Sequence, residues 1–242
     1  MDETKNTPAL ILNRQPYREN DSLVTVYTLN FGKLSLVARG TKKLQSKLAG
    51  HLEPISLADI LIIKGKSFDY IGSAIVRDAY LGLKDDLNKL YYAGRAIAWF
   101  NRLVKENQAD ERLFYLLVNW LKILDNYPTA EFSKANGELF LIFFSLKLMS
   151  ELGYQPEMHY CLNCKQKIKP GKNYFNLQNG GVIGEECYEG PSQSLLTISD
   201  NCVKLVRFMI SNRFQKAKKI KTNKKLIKEL SFLINSFINF QL

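Results

Sequence analysis

The sequence predicts a multidomain α+β protein: an N-terminal OB-type β-barrel over residues 1–82, then an α-helical domain over 83–242 with an inserted zinc-finger-like hairpin at 154–194. Three observations predict it. Apolar residues alternate with a period of 2 up to about residue 82 and recur with a period near 3.6 beyond it. The strand-like runs are short and separated by turn signals at close spacing. A segment rich in proline, glycine and cysteine interrupts the helical half.

The N-terminal runs are Ala9–Asn13, Leu23–Leu29, Leu34–Ala38, Ile55–Ile63 and Phe68–Val76. Asn30-Phe31-Gly32-Lys33 and Lys64-Gly65-Lys66-Ser67 read as hairpin turns, with Gly32 free to take a positive φ. Residues 39–50 are polar, basic and flanked by glycines, which makes them a loop. Five strands in this length fit a small OB barrel, with an SH3-like barrel as the competing architecture.

Helices are expected over about 87–106, 113–124, 129–151, 202–214 and 224–240. Asp85 and Asp86 are N-cap candidates for the first. The 113–124 segment is apolar almost all round and is expected to be central and buried. Gly153 is a plausible stop for the third helix.

The chain carries 34 basic and 23 acidic side chains, and the excess is clustered. No acid occurs between Asp21 and Glu53, a gap that holds Lys33, Arg39, Lys42, Lys43 and Lys47; Arg14 and Arg18 precede it. Residues 203–242 hold ten basic groups against Glu229 alone. Clustered positive charge suits a polyanion, because each neutralised phosphate releases counterions. Charge that only keeps a surface soluble is the competing reading, in a chain rich in Lys, Asn and Ile together.

The first apolar run is too short for a secretory signal, and Leu139–Met149 is too short to span a bilayer. A cytoplasmic, nucleoid-associated protein is expected, with no membrane and no small-molecule substrate. In that compartment cysteines stay reduced. Cys161 and Cys164 form a C-x-x-C whose spacing lets one tight turn aim two sulfurs at one metal. The second pair would fall at 184 and 187, where the chain has Gly184 and Cys187. Cys161, Cys164 and Cys187 thus read either as three ligands of a structural Zn2+, with His159, Cys202 or water as the fourth, or as a metal-free hairpin. No His-x-Glu, phosphate-loop, nucleophile-elbow or dinucleotide-binding motif occurs, and only two histidines are present. No enzyme is expected.

An ordered set of residues runs through Tyr17-Arg18-Glu19-Asn20-Asp21-Ser22, Val37-Ala38-Arg39-Gly40, Lys42-Lys43, Ser46, Gly50, Leu52 and Pro54. It continues through Asp86-Leu87, Gly153-Tyr154-Gln155-Pro156, Cys161, Cys164 and Gly180-Gly181-Val182-Ile183. Taken together, these residues resemble the RecO family of bacterial DNA repair and recombination mediators. The resemblance implies binding to single- and double-stranded DNA, annealing of complementary strands, and help in replacing single-strand binding protein with recombinase. RecR and the acidic tail of single-strand binding protein are the implied partners. Two departures stand out: Gly184 replaces a cysteine of the zinc-bearing members, and Lys165 stands where a glycine often follows the first cysteine pair.

On this reading Arg14, Arg18, Lys33, Arg39, Lys42, Lys43 and Lys47 are the DNA-binding candidates. Arg213, Lys216, Lys218, Lys219 and Lys221 are the candidates for the acidic tail, around an apolar cleft of Ile210, Phe214, Ile220 and Ile227. The alternative function is a general OB-fold binder of RNA or single-stranded DNA without annealing activity.

Overall fold

The computed structural model describes residues 4–241, apart from the side chains of Lys218 and Lys219, and the fold divides into two compact units, 1–127 and 128–242. The change from strands to helices falls inside the first unit, which takes in the barrel and three helices.

Five strands form the sheet of the first unit: β1 (Thr4–Pro16), β2 (Ser22–Thr28), β3 (Gly32–Ala38), β4 (Ser56–Ile63) and β5 (Tyr70–Asp78). They close into a barrel in the order β1-β2-β3-β5-β4. β1 is the long strand because it pairs with both β2 and β4, with a register shift between Ile11 and Asn13. A bulge of this kind lets one strand bend between two partners. The closing contact is a single parallel pairing, Val37 with Tyr70, and the Val37 N–H donates to the Asp69 carbonyl at 2.9 Å.

The alternating residues point inward as expected. Ala9, Ile11, Val24, Val26, Leu36, Ala58, Ile60, Ile62 and Ile71 form one buried cluster, with Leu52 from the 39–55 connection added to it. Gly32 has φ +71° and lies so close to the Gln108 backbone that a Cβ would sit 2.2 Å from its carbonyl oxygen. Only glycine fits both the turn and that approach.

Helices α1 (Leu81–Lys84), α2 (Leu87–Leu103) and α3 (Glu111–Asp125) complete the unit. The Asp86 side chain accepts from the N–H groups of Asn88 and Lys89 and caps α2; Asp110 caps α3 in the same way through Arg112. Tyr27 stands on β2 with its ring edge-on to Phe100 of α2 at 4.9 Å. Helix α3 is not the all-round buried helix that its composition suggested. Tyr115, Asn119 and Lys122 are exposed, so it packs one face and leaves the other to water.

In the second unit that central role falls to α4 (Lys134–Glu151), where Leu139 through Met149 are buried apart from Lys147. Helices α5 (Asp200–Ser211) and α6 (Lys224–Phe240) pack against it. Between α4 and α5 lies the inserted subdomain. Strands β6 (Asn173–Asn176) and β7 (Gly181–Gly184) form the expected hairpin, and a third strand, β8 (Leu195–Ile198), adds to the free side of β6. Alternation over four residues was too short a signal to show β8 in the sequence. Phe175 meets Phe237 of α6 edge-on at 5.3 Å, and Arg207 of α5 donates to the Met158 carbonyl at 2.8 Å. These contacts hold the subdomain against the helices. No helix of the described residues is long and apolar enough to cross a membrane.

Candidate nucleic-acid interface and metal centre

Two loops at one end of the barrel are stitched into one surface. The Asp21 carboxylate accepts the Gly40 N–H at 2.9 Å, and the Thr41 hydroxyl donates to Ser22 Oγ at 2.7 Å. The Lys42 N–H donates to the Asn20 carbonyl at 3.1 Å, while its ammonium donates to the Arg18 carbonyl at 2.7 Å. The basic 39–47 segment is therefore anchored to the β1–β2 connection.

Aromatic rings, which the sequence reading did not single out, lie among these cations. Arg39 covers the Tyr70 ring at 3.9 Å, and Arg18 lies over Tyr17 at 5.1 Å. Tyr17 and Phe68 meet edge-on at 5.8 Å, and both are exposed. Their signal was present as aromatic residues at strand ends next to basic loops. Alternation alone could not separate them from core residues.

The candidates are not equivalent. Arg18, Arg39, Lys42, Lys43 and Lys47 are exposed. Arg14 is half-buried, donating to the Ala49 carbonyl and to Glu53, both at 2.7 Å; with Lys42 it lines a small cleft beside Pro16 and Thr41. Lys33 is a correction. It is buried, and its ammonium donates to the Asn101 carbonyl at 2.7 Å, so it faces α2 and not solvent. Its position at a turn suggested exposure, but the lysine stem spans the packed barrel–helix contact and ends on a helix carbonyl.

In the second unit, a groove of about 890 Å³ opens between α5, the 214–219 turn and the start of α6. Leu205, Phe208, Ile220 and Leu226 are its apolar residues, and Lys204, Lys216 and Lys221 line it too. The expected cleft residues Phe214 and Ile227 are instead buried core, and Arg213 is exposed but is not a lining residue. Lys204 belongs to the basic 203–242 block but was missed because it lies on α5, upstream of the dense Arg213–Lys221 run that set the candidates. The Lys218 and Lys219 side chains lie outside the described residues.

The three cysteines Cys161, Cys164 and Cys187 come together with their sulfurs all within 4.8 Å of one another. A tetrahedral Zn–S₃ arrangement with bonds of about 2.3 Å would place sulfurs about 3.8 Å apart, so the cluster fits a metal ion. Burial opposes ionisation of Cys161. The backbone N–H groups of Gly184, Cys164 and Asn163, with the Cys164 thiol, outweigh that and bring it down to about 7. Cys187 moves the other way, up to about 11, because the Cys164 and Cys161 sulfurs crowd it. Among the described residues no further His, Cys, Asp or Glu joins the three. His159 and Cys202 are thereby removed as fourth ligands. The His159 backbone is tied to Glu157 and Ile168, and Cys202 is buried on α5, where burial and Glu229 push its thiol up.

Comparison with known proteins resolves the kinship. The family model described as Recombination protein O N terminal matches residues 1–80, and Recombination protein O C terminal matches 84–242. The chain belongs to the RecO family. The DNA repair protein RecO of Dehalococcoides mccartyi is 30% identical over 98% of this chain and 90% of its own length. Proteins of the same name from Desulforamulus reducens and Alkaliphilus metalliredigens are 27% and 26% identical over 97% and 96% of this chain, covering 88% and 91% of their own lengths. Within this RecO chain, Lys165 takes φ +60°, the left-handed region that favours glycine, at the turn that closes the Cys161–Cys164 knuckle. That geometry explains the glycine preference which the resemblance implied there.

Proposed function

We propose that this chain is a DNA repair and recombination mediator without catalytic residues. It binds single- and double-stranded DNA, anneals complementary strands and helps recombinase to replace single-strand binding protein. The observation that carries the reading is the stitched loop surface, where Arg18, Arg39 and Lys42 lie among the exposed Tyr17–Phe68 pair and Tyr70. Cations neutralise phosphates without reading sequence, and aromatic faces accept any base. Two repelling strands brought onto such a surface can pair. The strand order β1-β2-β3-β5-β4 supports an OB-type barrel as its support.

The groove of the second unit supports docking of the acidic tail of single-strand binding protein: positive charge steers the tail in, and Leu205, Phe208, Ile220 and Leu226 receive apolar residues at its end. RecR is the further partner that the family membership suggests. Cys161, Cys164 and Cys187 would hold a structural zinc ion, whose contribution is folding energy for the inserted subdomain.

The test is annealing of complementary oligonucleotides precoated with single-strand binding protein. Acceleration by the chain supports the reading. Binding without acceleration would leave a general nucleic-acid binder instead.

A further inference from the structure

Among the described residues the candidate metal centre gathers three cysteine sulfurs and no fourth ligating side chain. Gly184 stands beside this cluster. Its N–H donates to Cys161, and it shares a pocket with the cysteines: Cys161, Cys164, Gly184 and Cys187 all line an opening of about 270 Å³ that reaches solvent. A Cβ on Gly184 would meet only Ile168 Cδ1, at 3.8 Å, and its φ of −74° and ψ of 157° suit any residue. The glycine is therefore not required by its backbone or its space.

We infer that the three-cysteine centre keeps an exchangeable fourth coordination position, open to a small thiolate from solution. The inference rests on the metal reading given above. A four-coordinate zinc ion with three protein ligands has one place left, as in open sites generally. Thiolate is the donor class that matches the other three. Lys167, Lys169 and Lys172 line the same opening and favour an anion. Glu185 and Glu186 line it as well, and Glu186 is paired with Lys169 at 3.2 Å. Neither carboxylate joins the sulfur cluster.

Cobalt(II) is the probe, because its sulfur charge-transfer bands count thiolates. The full-length protein, purified without thiol reductants, is titrated with Co2+ and then with 2-mercaptoethanol. One Co2+ per chain is expected, and added thiol should raise the charge-transfer intensity by about one third, the step from three thiolates to four. Gly184→Cys should show the higher intensity at once, ignore added thiol, and bind Zn2+ more than about ten-fold more tightly in chelator competition, since even outer-shell changes reach that size. Wild type that binds Co2+ but does not respond to thiol overturns the open position and leaves the metal reading standing. A response that appears only in Glu185→Gln/Glu186→Gln assigns the fourth position to a carboxylate and also overturns it. If only Gly184→Cys binds metal, the metal reading itself fails for this chain.

Discussion

The ammonium of Lys89 donates to the carbonyl of Tyr127 at 2.5 Å, from a residue that is 1% exposed. The same ammonium reaches the carbonyls of Gly82 and Asp125, each at 3.3 Å. One lysine on α2 thus ties the end of α3 to the α1 turn. Replacing it with Met keeps the stem but leaves three carbonyls without their charged donor. Lys89→Met should destabilise the protein by about 3 kcal/mol. Urea unfolding measures it, and a change within error of zero would mean that water takes over those carbonyls.

The loop surface should separate two kinds of contact. Changing Lys42 and Lys43 to Glu should weaken single-strand binding on every sequence and flatten its salt dependence. Changing Phe68 to Ala should lose about 1–3 kcal/mol of binding with the salt slope unchanged, because stacking releases no counterions. Binding isotherms at several salt concentrations distinguish the two. A steep slope retained in the folded lysine variant would place the phosphates elsewhere.

The groove of the second unit makes a parallel claim. Charge reversal at Lys204, Lys216 and Lys221 should slow association of a fluorescent acidic tail peptide, and Phe208→Ala should speed its release. Stopped-flow anisotropy reads both rates. Rates that match wild type in all these variants would remove the groove as the tail site.

At the first cysteine knuckle, Lys165 holds a φ of +60°. A non-glycine residue there carries a penalty of about 1 kcal/mol. Lys165→Gly should relieve that strain against a smaller loss in unfolded-state entropy, for a net gain below about 1 kcal/mol. Thermal unfolding with and without a chelator checks it; destabilisation under both conditions would contradict the strain.

Asp110 gives the pH-dependent case. Its hydrogen bond to Arg112 lowers the carboxyl below its usual value; slight burial opposes this, and the Arg112 and Leu113 N–H groups assist. A depressed carboxylate stabilises the fold above its unfolded-state pKa, and the contribution disappears as pH falls through the folded value. Asp110→Ala should therefore be about 1 kcal/mol less stable than wild type at neutral pH, with the gap narrowing in acid. A gap that does not change with pH would assign the effect to helix propensity alone.

The barrel strands, the Asp86 cap and the cysteine cluster were legible because each rests on local pattern: period 2, a side chain before an apolar stripe, and C-x-x-C spacing. Charge was less legible. Lys33, Lys89 and Lys147 count as surface cations in a sequence, yet each ends on a backbone carbonyl, at Asn101, Tyr127 and Ile210. A lysine stem is long enough to cross a packed interface, so its sequence neighbours do not reveal where its ammonium finishes. Tyr17, Phe68 and Tyr70 were hidden for a related reason. They come together only when the barrel closes, across more than 50 residues of chain.

That closure is also the barrel's weakest seam. The other four joints are ladders of seven or more rungs, whereas β3 meets β5 at the single Val37–Tyr70 rung. Unzipping it requires few hydrogen bonds to break, so the amide of Val37 should exchange with solvent before its counterparts deep in the ladders. Tyr70 carries Arg39 on its face at this rung. A strand laid across both would act as a clasp on the barrel, slowing that exchange from outside.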